Sequence, residues 1–291
     1  MVARVICFAA QKGGVGKTMS TVQAALLTAV RIKKRTLLID IDPQRNSSGV
    51  FLTPEQIQDS STCCASLLYT KDYVITPTPG KYNIHVIPGD DGINAFPQQD
   101  LTDDAFATLI DSLKNNTNFC ANDVIKEVVD QQLIAFATNV QKLREDYDFI
   151  FIDTPPSFLG LPLLSGLFAS TDVVGLLEPN KFSSDVISGF IEKVATVHDQ
   201  YNPEMTFHGF IINKLRLNSS RHKSRVENWM STFPDFFLSE PVRINSWLED
   251  CTEDGEPCWI GANNQHRRTG ANLIINALSS VIPELRKADN E

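Results

Sequence analysis

VICFAAQKGGVGKT, residues 5–18, runs from an apolar segment into three closely spaced glycines and ends on Lys17 and Thr18. A loop of this kind presents successive backbone N–H groups at the mouth of a helix, where aligned peptide dipoles add positive potential, so it cradles phosphate. Gly13, Gly14 and Gly16, with Val15 between them, let the backbone come close to the anion. Lys17 then reaches the outer phosphates, and the Thr18 hydroxyl holds Mg²⁺. The same reading expects a buried strand over residues 4–9 and a helix over about 18–30, with Val22, Ala25, Leu26 and Ala29 on its apolar side.

The pattern repeats outward from this loop. Residues 35–39 form a second apolar run ending at Asp40, Asp42 and Pro43, and a short one at 84–87 ends on Pro88 and Gly89. FIFI at 149–152 ends at Asp153 and is stopped by Pro155 and Pro156, while 173–177 and 207–212 flank a helical stretch over about 184–198. Short apolar strands alternating with helices predict an α/β fold, a single doubly wound, mostly parallel sheet with helices on both faces. No linker interrupts the series, so residues 1–291 are expected to form one domain. Residues 100–146 suggest two or three helices around the polar break 115–118. Residues 229–268, rich in Trp, Pro, Asn and acidic groups, suggest an irregular cover with short strands, and about 271–285 a closing amphipathic helix.

Composition narrows the classes. Hydrophobic residues make up 42% and charged residues 21%, as in globular domains, and 26 Lys and Arg against 35 Asp and Glu give a net charge of −9. That balance argues against adhesion of the whole surface to nucleic acid and leaves local basic patches to consider. None of the six cysteines forms a CxxC pair, so they read as reduced cytosolic thiols. A cleavable leader would remove the glycine loop, and no apolar run is long enough for a bilayer. A cytoplasmic protein is expected. Asp153, at the end of its strand, is a candidate to hold Mg²⁺ directly or through water. A carboxylate that orients attacking water is sought in Asp40 or Asp42, between which spacing alone does not decide.

With a second lysine, Lys12, at its start, KGGVGKT resembles the deviant Walker A motif of the ParA/MinD superfamily of partition and positioning ATPases. The resemblance extends through LLIDIDPQRNSSG at 37–49, YDFIFIDTPPS at 147–157, NPEMTFHGFIINK at 202–214 and EDGEPCWIGANNQHRRTGANLIINAL near the end. It implies an ATP sandwich homodimer in which Lys12 crosses to the partner's phosphates, in the manner of an arginine finger. It further implies Lys17 and Thr18 in ordinary P-loop roles with Met19 beside them, Asp42 orienting water, and Asp153 at the Walker B position. Asn213 falls where relatives read adenine, with the loop after Arg243 closing over the base. ATP and Mg²⁺ are the implied cofactors.

Gln11, where MinD-like relatives have glycine, points to the ParA branch, as does a C-terminus without a basic amphipathic anchor, so no membrane is expected. Five basic residues, Lys214, Arg216, Arg221, Lys223 and Arg225, occur from 205 to 226 without an acidic one, and Arg267 and Arg268 form a second cluster. Such groups meet phosphates without reading bases, and the resemblance implies nonspecific DNA binding and nucleoid association in the ATP state. It also implies a centromere-binding ParB-type adaptor that stimulates hydrolysis. A loop so near the start resembles the short form without a helix-turn-helix domain. A ParA-like positioning ATPase for another cargo, such as a microcompartment, chemotaxis cluster or secretion complex, shares this site, and a metabolic P-loop enzyme uses similar loops.

Overall fold

The computed structural model describes residues 2–10, 12–95, 121–156, 160–180 and 184–287. Its strands are β1 (Arg4–Ala9), β2 (Thr36–Asp40), β3 (Thr78–Pro79), β4 (His85–Ile87), β5 (Phe149–Asp153), β6 (Asp172–Leu177) and β7 (Thr206–Ile212). They form one sheet in the order β3-β4-β2-β5-β1-β6-β7, parallel throughout except that β3 runs antiparallel to β4. β1, β2 and β5 are almost wholly buried, as near-continuous apolar runs covered on both faces require.

Strand alternation divides the interior into two cores. Val5, Cys7 and Ala9 face one way and pack with Leu133, Phe136, Leu164, Phe190 and Trp229. These come from α4 (Ala121–Leu143), α5 (Leu161–Ala169), α6 (Ser184–Gln200) and α7 (Ser220–Thr232). Ile6 and Phe8 face the other way, against Val22, Leu26, Leu248, Ile274 and Leu278. Those side chains belong to α1 (Lys17–Leu26), α8 (Ser246–Asp254) and α9 (Gln265–Ser279), and two short helices, α2 (Asn46–Phe51) and α3 (Pro54–Gln58), follow β2. The doubly wound sheet expected from the sequence is present, with the parallel strands' C-terminal ends gathered along one rim.

Several local expectations need correction. The first helix starts at Lys17 and its last turn, Leu27–Arg31, widens to π geometry. The region 229–268 mixes short helices with irregular chain: α7 continues to Thr232 with Trp229 buried, a 3-10 turn spans Pro234–Phe236, and α8 is followed by Gly255 at its C-terminal cap. The closing helix begins at Gln265, six residues before the expected start, because the Asn264 side chain accepts the Arg267 N–H and caps it. It ends at Ser279, and a separate short turn, α10 (Glu284–Lys287), follows Pro283. Of the helices expected over 100–146, residues 100–120 lie outside the described residues, and α4 is one helix of 23 residues.

Candidate functional site

The glycine loop leaves β1, an interior strand flanked by β5 and β6, and feeds α1, the geometry that an anion nest requires. Its two lysines differ in exposure. Lys17 is buried at 6% exposure, its Nζ 3.4 Å from the Lys12 carbonyl, while the Lys12 side chain is exposed with Nζ 3.5 Å from Asn180 Oδ1. Burial lowers the Lys17 ammonium's pKa, and the charges of Asp153 and Asp42 oppose that shift. Gly13 and Gly14 are exposed, Val15 is buried, and Thr18 and Met19 are half-buried beside the loop.

Asp40 and Asp153 are register partners at the ends of β2 and β5, and both are fully buried. Asp40 accepts hydrogen bonds from the Asp42 N–H at 3.0 Å, the Ser48 N–H at 2.9 Å and the Ser48 hydroxyl at 2.7 Å. Ser48 Oγ also accepts the Gly89 N–H, so Asp40 and Ser48 together fix the turn that carries Asp42. Desolvation raises the Asp40 pKa, and these hydrogen bonds counter it. Asp42 itself accepts the Gln44 N–H at 2.9 Å and lies close enough to Lys17 for its charge to act there.

Asp153 is pushed up to about 7, first by burial and then by the neighbouring Asp40 charge. Its Oδ1 is 3.5 Å from Thr21 Oγ1, whereas Oδ2 is buried with no hydrogen-bond partner, as is Ser47 Oγ. A buried carboxylate oxygen without a partner is costly unless a cation or solvent meets it. Thr18 and Asp153 therefore fit a divalent cation. Among the described residues no cluster of three or more His, Cys, Asp or Glu side chains would hold a metal by itself.

Asn213, at 2% exposure, follows β7 and points into the glycine loop, where its Nδ2 donates to the Val15 carbonyl at 2.8 Å. Beyond it Leu215 pairs with Arg243, and the chain enters a hollow of about 570 Å³ lined by residues including Arg216, Arg243, Ile244 and His266.

The basic residues grouped by sequence differ in what holds them. Lys214 lies 3.8 Å from Glu249, and Arg225 donates to the Pro179 carbonyl. Arg267 stacks 4.0 Å from the Trp247 ring centre and donates to the Gly261 carbonyl, and Arg268 donates to the Ala262 carbonyl, so both pin the 261–263 loop. Arg216, Arg221, Lys223 and Arg268 are exposed. The sequence reading missed Ser48, Thr21 and Thr154, whose hydroxyl donates to the Phe8 carbonyl at 3.1 Å. Adjacent serines after DPQRN were the available signal for the first.

Among the described residues no helix is long and apolar enough to cross a membrane. Residues 3–207 match the family described as an AAA domain. The chain is 29% identical over 259 residues to the chromosome partitioning protein ParA of Myxococcus xanthus, covering 88% of this chain and 81% of that one. It shares its fold with cobyrinic acid a,c-diamide synthase of Mycobacterium smegmatis bound to ADP and magnesium, at a TM-score of 0.67 and 18% identity, over 99% of this chain and 96% of that one. A putative plasmid partition protein of Borrelia burgdorferi bound to AMPPNP superposes with a TM-score of 0.65 and 20% identity, over 97% and 99% of the two chains.

Proposed function

For a chain that belongs to the ParA/MinD superfamily of deviant Walker A ATPases, we propose a role in DNA partition, in which an ATP sandwich dimer binds nonspecific DNA and is reset by partner-stimulated hydrolysis. The observation that carries this reading is the contrast between the loop's lysines. Lys17 is buried beside Asp153 and Asp42, where it serves phosphates bound to its own subunit, while Lys12 is exposed at the loop's start, where a second subunit can use it. A cation supplied across an interface neutralises phosphate charge only when both subunits close, which makes ATP a switch between monomer and dimer.

Gly13, Gly14, Val15 and Gly16 then wrap the phosphates, with Met19 flanking them. Bound Mg²⁺, held by Thr18 and Asp153, supplies charge neutralisation at the phosphate oxygens. Asp42 orients the attacking water. Asp40 is unsuited to that role, because three hydrogen bonds already occupy its carboxylate. The proposed chain of events is cytoplasmic, with nucleoid association in the ATP state and release when a centromere-binding ParB-type adaptor stimulates hydrolysis. The name of the Myxococcus relative supports a partition cargo. Likeness to the amide-forming synthase concerns the fold and carries no substrate.

Arg216, Arg221, Lys223 and Arg268 are exposed and available to DNA phosphates, while Lys214, Arg225 and Arg267 contribute field from half-buried positions held by internal contacts. The test is DNA affinity at low salt with ATP and with ADP, and with Arg216, Arg221 and Lys223 neutralised together. ATP-dependent binding lost in the triple variant is the expected result. ATP-loaded wild-type protein that ignores DNA would refute the DNA cargo and leave the nucleotide site standing.

A further inference from the structure

An anion nest works because consecutive N–H groups point inward, and the geometry of the chain then turns the loop's carbonyls outward, away from the phosphates. A carbonyl turned into the protein needs a donor there. For Val15 that donor is the Asn213 side chain, 198 residues away in sequence, with Nδ2 at 2.8 Å. Asn213 is itself held at two other points: its N–H donates to the Leu177 carbonyl at 2.7 Å, and its Oδ1 accepts the Lys214 N–H at 2.8 Å. The loop is shaped to admit it. A Cβ added at Gly16 would sit 2.1 Å from Asn213 Nδ2, and Gly16 has φ +101°, in the region glycine occupies without strain. Gly16 thus serves two ends at once, the approach of phosphate from one side and of Asn213 from the other.

We propose that Asn213 is a positioning residue for phosphate binding: its amide holds the Val15 carbonyl turned out of the loop and so keeps the loop's N–H groups aimed at a polyphosphate. The inference rests on the nucleotide reading above and differs from a role in base recognition, since the Val15 contact is indifferent to which base the phosphates carry.

Base selectivity separates the two roles. Affinities for ATP and GTP, with Mg²⁺, are measured by isothermal titration calorimetry for wild type, Asn213→Ala and Asn213→Asp. Aspartate retains the size and the acceptor for the Lys214 N–H, and opposes the Val15 carbonyl with oxygen in place of a donor. Both variants are expected to weaken both nucleotides by one common factor, roughly 10- to 100-fold for loss of a buried hydrogen bond that leaves its partner unpaired, with the ATP to GTP ratio unchanged. In the nucleotide-free protein, amides of residues 14–17 should exchange with deuterium faster, while those of β1 and β7 keep their protection. A loss confined to ATP, unchanged affinities, or protection lost across the whole sheet would each overturn the proposal. Wild-type protein that binds neither nucleotide would sink the nucleotide reading itself.

Discussion

Asp172, at the start of β6, is the point where the far end of the sheet is tied together, and replacing it with asparagine gives the sharpest test of how the scaffold is held. Arg4 donates to both of its oxygens and reaches on to the Val281 carbonyl, Thr171 Oγ1 donates at 2.6 Å, and His208 Nε2 lies 2.6 Å from Oδ1. The carboxylate joins β1, β6 and β7 to the C-terminal segment. Burial alone would raise its pKa, but hydrogen bonds from His208, Arg4 and Thr171 and the Arg4 charge outweigh it and bring the group from 3.8 down to about 2. A difference of that size corresponds to about 2 kcal/mol in favour of the ionised folded state. The folded pKa lies below the unfolded one, so this contribution is fully present above about pH 4 and disappears as pH falls toward 2. Urea unfolding of wild type and Asp172→Asn between pH 7 and pH 3 should show a gap of about 2 kcal/mol at neutrality that narrows below pH 4. A gap that stays constant with pH, or an asparagine variant equal to wild type at pH 7, would refute the claim that the charge matters beyond the shape of the side chain.

Three further outcomes follow from the site and the sheet. Lys12→Ala should weaken the ATP-dependent dimer by about ten- to a hundredfold, the size of a lost charge-assisted contact, as read by sedimentation with a nonhydrolysable ATP analogue; an unaltered dimer would remove the cross-subunit role. Asp42→Asn should lower kcat by at least about a hundredfold and change nucleotide affinity only a few-fold, and comparable loss in both would mean that Asp42 holds the nucleotide. Gly175→Ala places a Cβ 2.3 Å from Phe210 Cδ1 on the neighbouring edge strand β7, and overpacking should cost about 1–3 kcal/mol in chemical unfolding; a neutral result would show that the ring has room to move.

The framework is legible because each parallel strand is a short apolar run with its own stop, glycines after β1, aspartates after β2 and β5, and alternation along a buried strand needs no distant information. Other features depend on contacts the chain makes far from itself. The first turn of α9 reads QHRRTG, with no apolar period, and its helix is set by the Asn264 cap and by Arg267 stacking on Trp247. Asp40 and Asp42 look alike in sequence, and only Ser48 and Gly89, brought under the turn, distinguish a carboxylate that accepts three hydrogen bonds from one beside Lys17. The basic cluster at 214–225 reads as one surface in sequence, yet Glu249 and the Pro179 carbonyl draw two of its members inward. Spacing predicts who is near in the chain; it does not reveal who else is competing for the charge.

The strand order also bears on how the polypeptide comes into being. β1 is made long before either of its two neighbours in the sheet, which begin at Phe149 and Asp172. At ordinary elongation rates the ribosome needs on the order of ten seconds to reach the first of them. During that interval RVICFA, with Val5 to Ala9 destined for complete burial, has no edge to pair with. Unpaired strands of this kind are what holding chaperones capture and what aggregation recruits. The glycine loop consequently has no strand beside its root until β5 emerges, and β1 is paired on both sides only once β6 has followed.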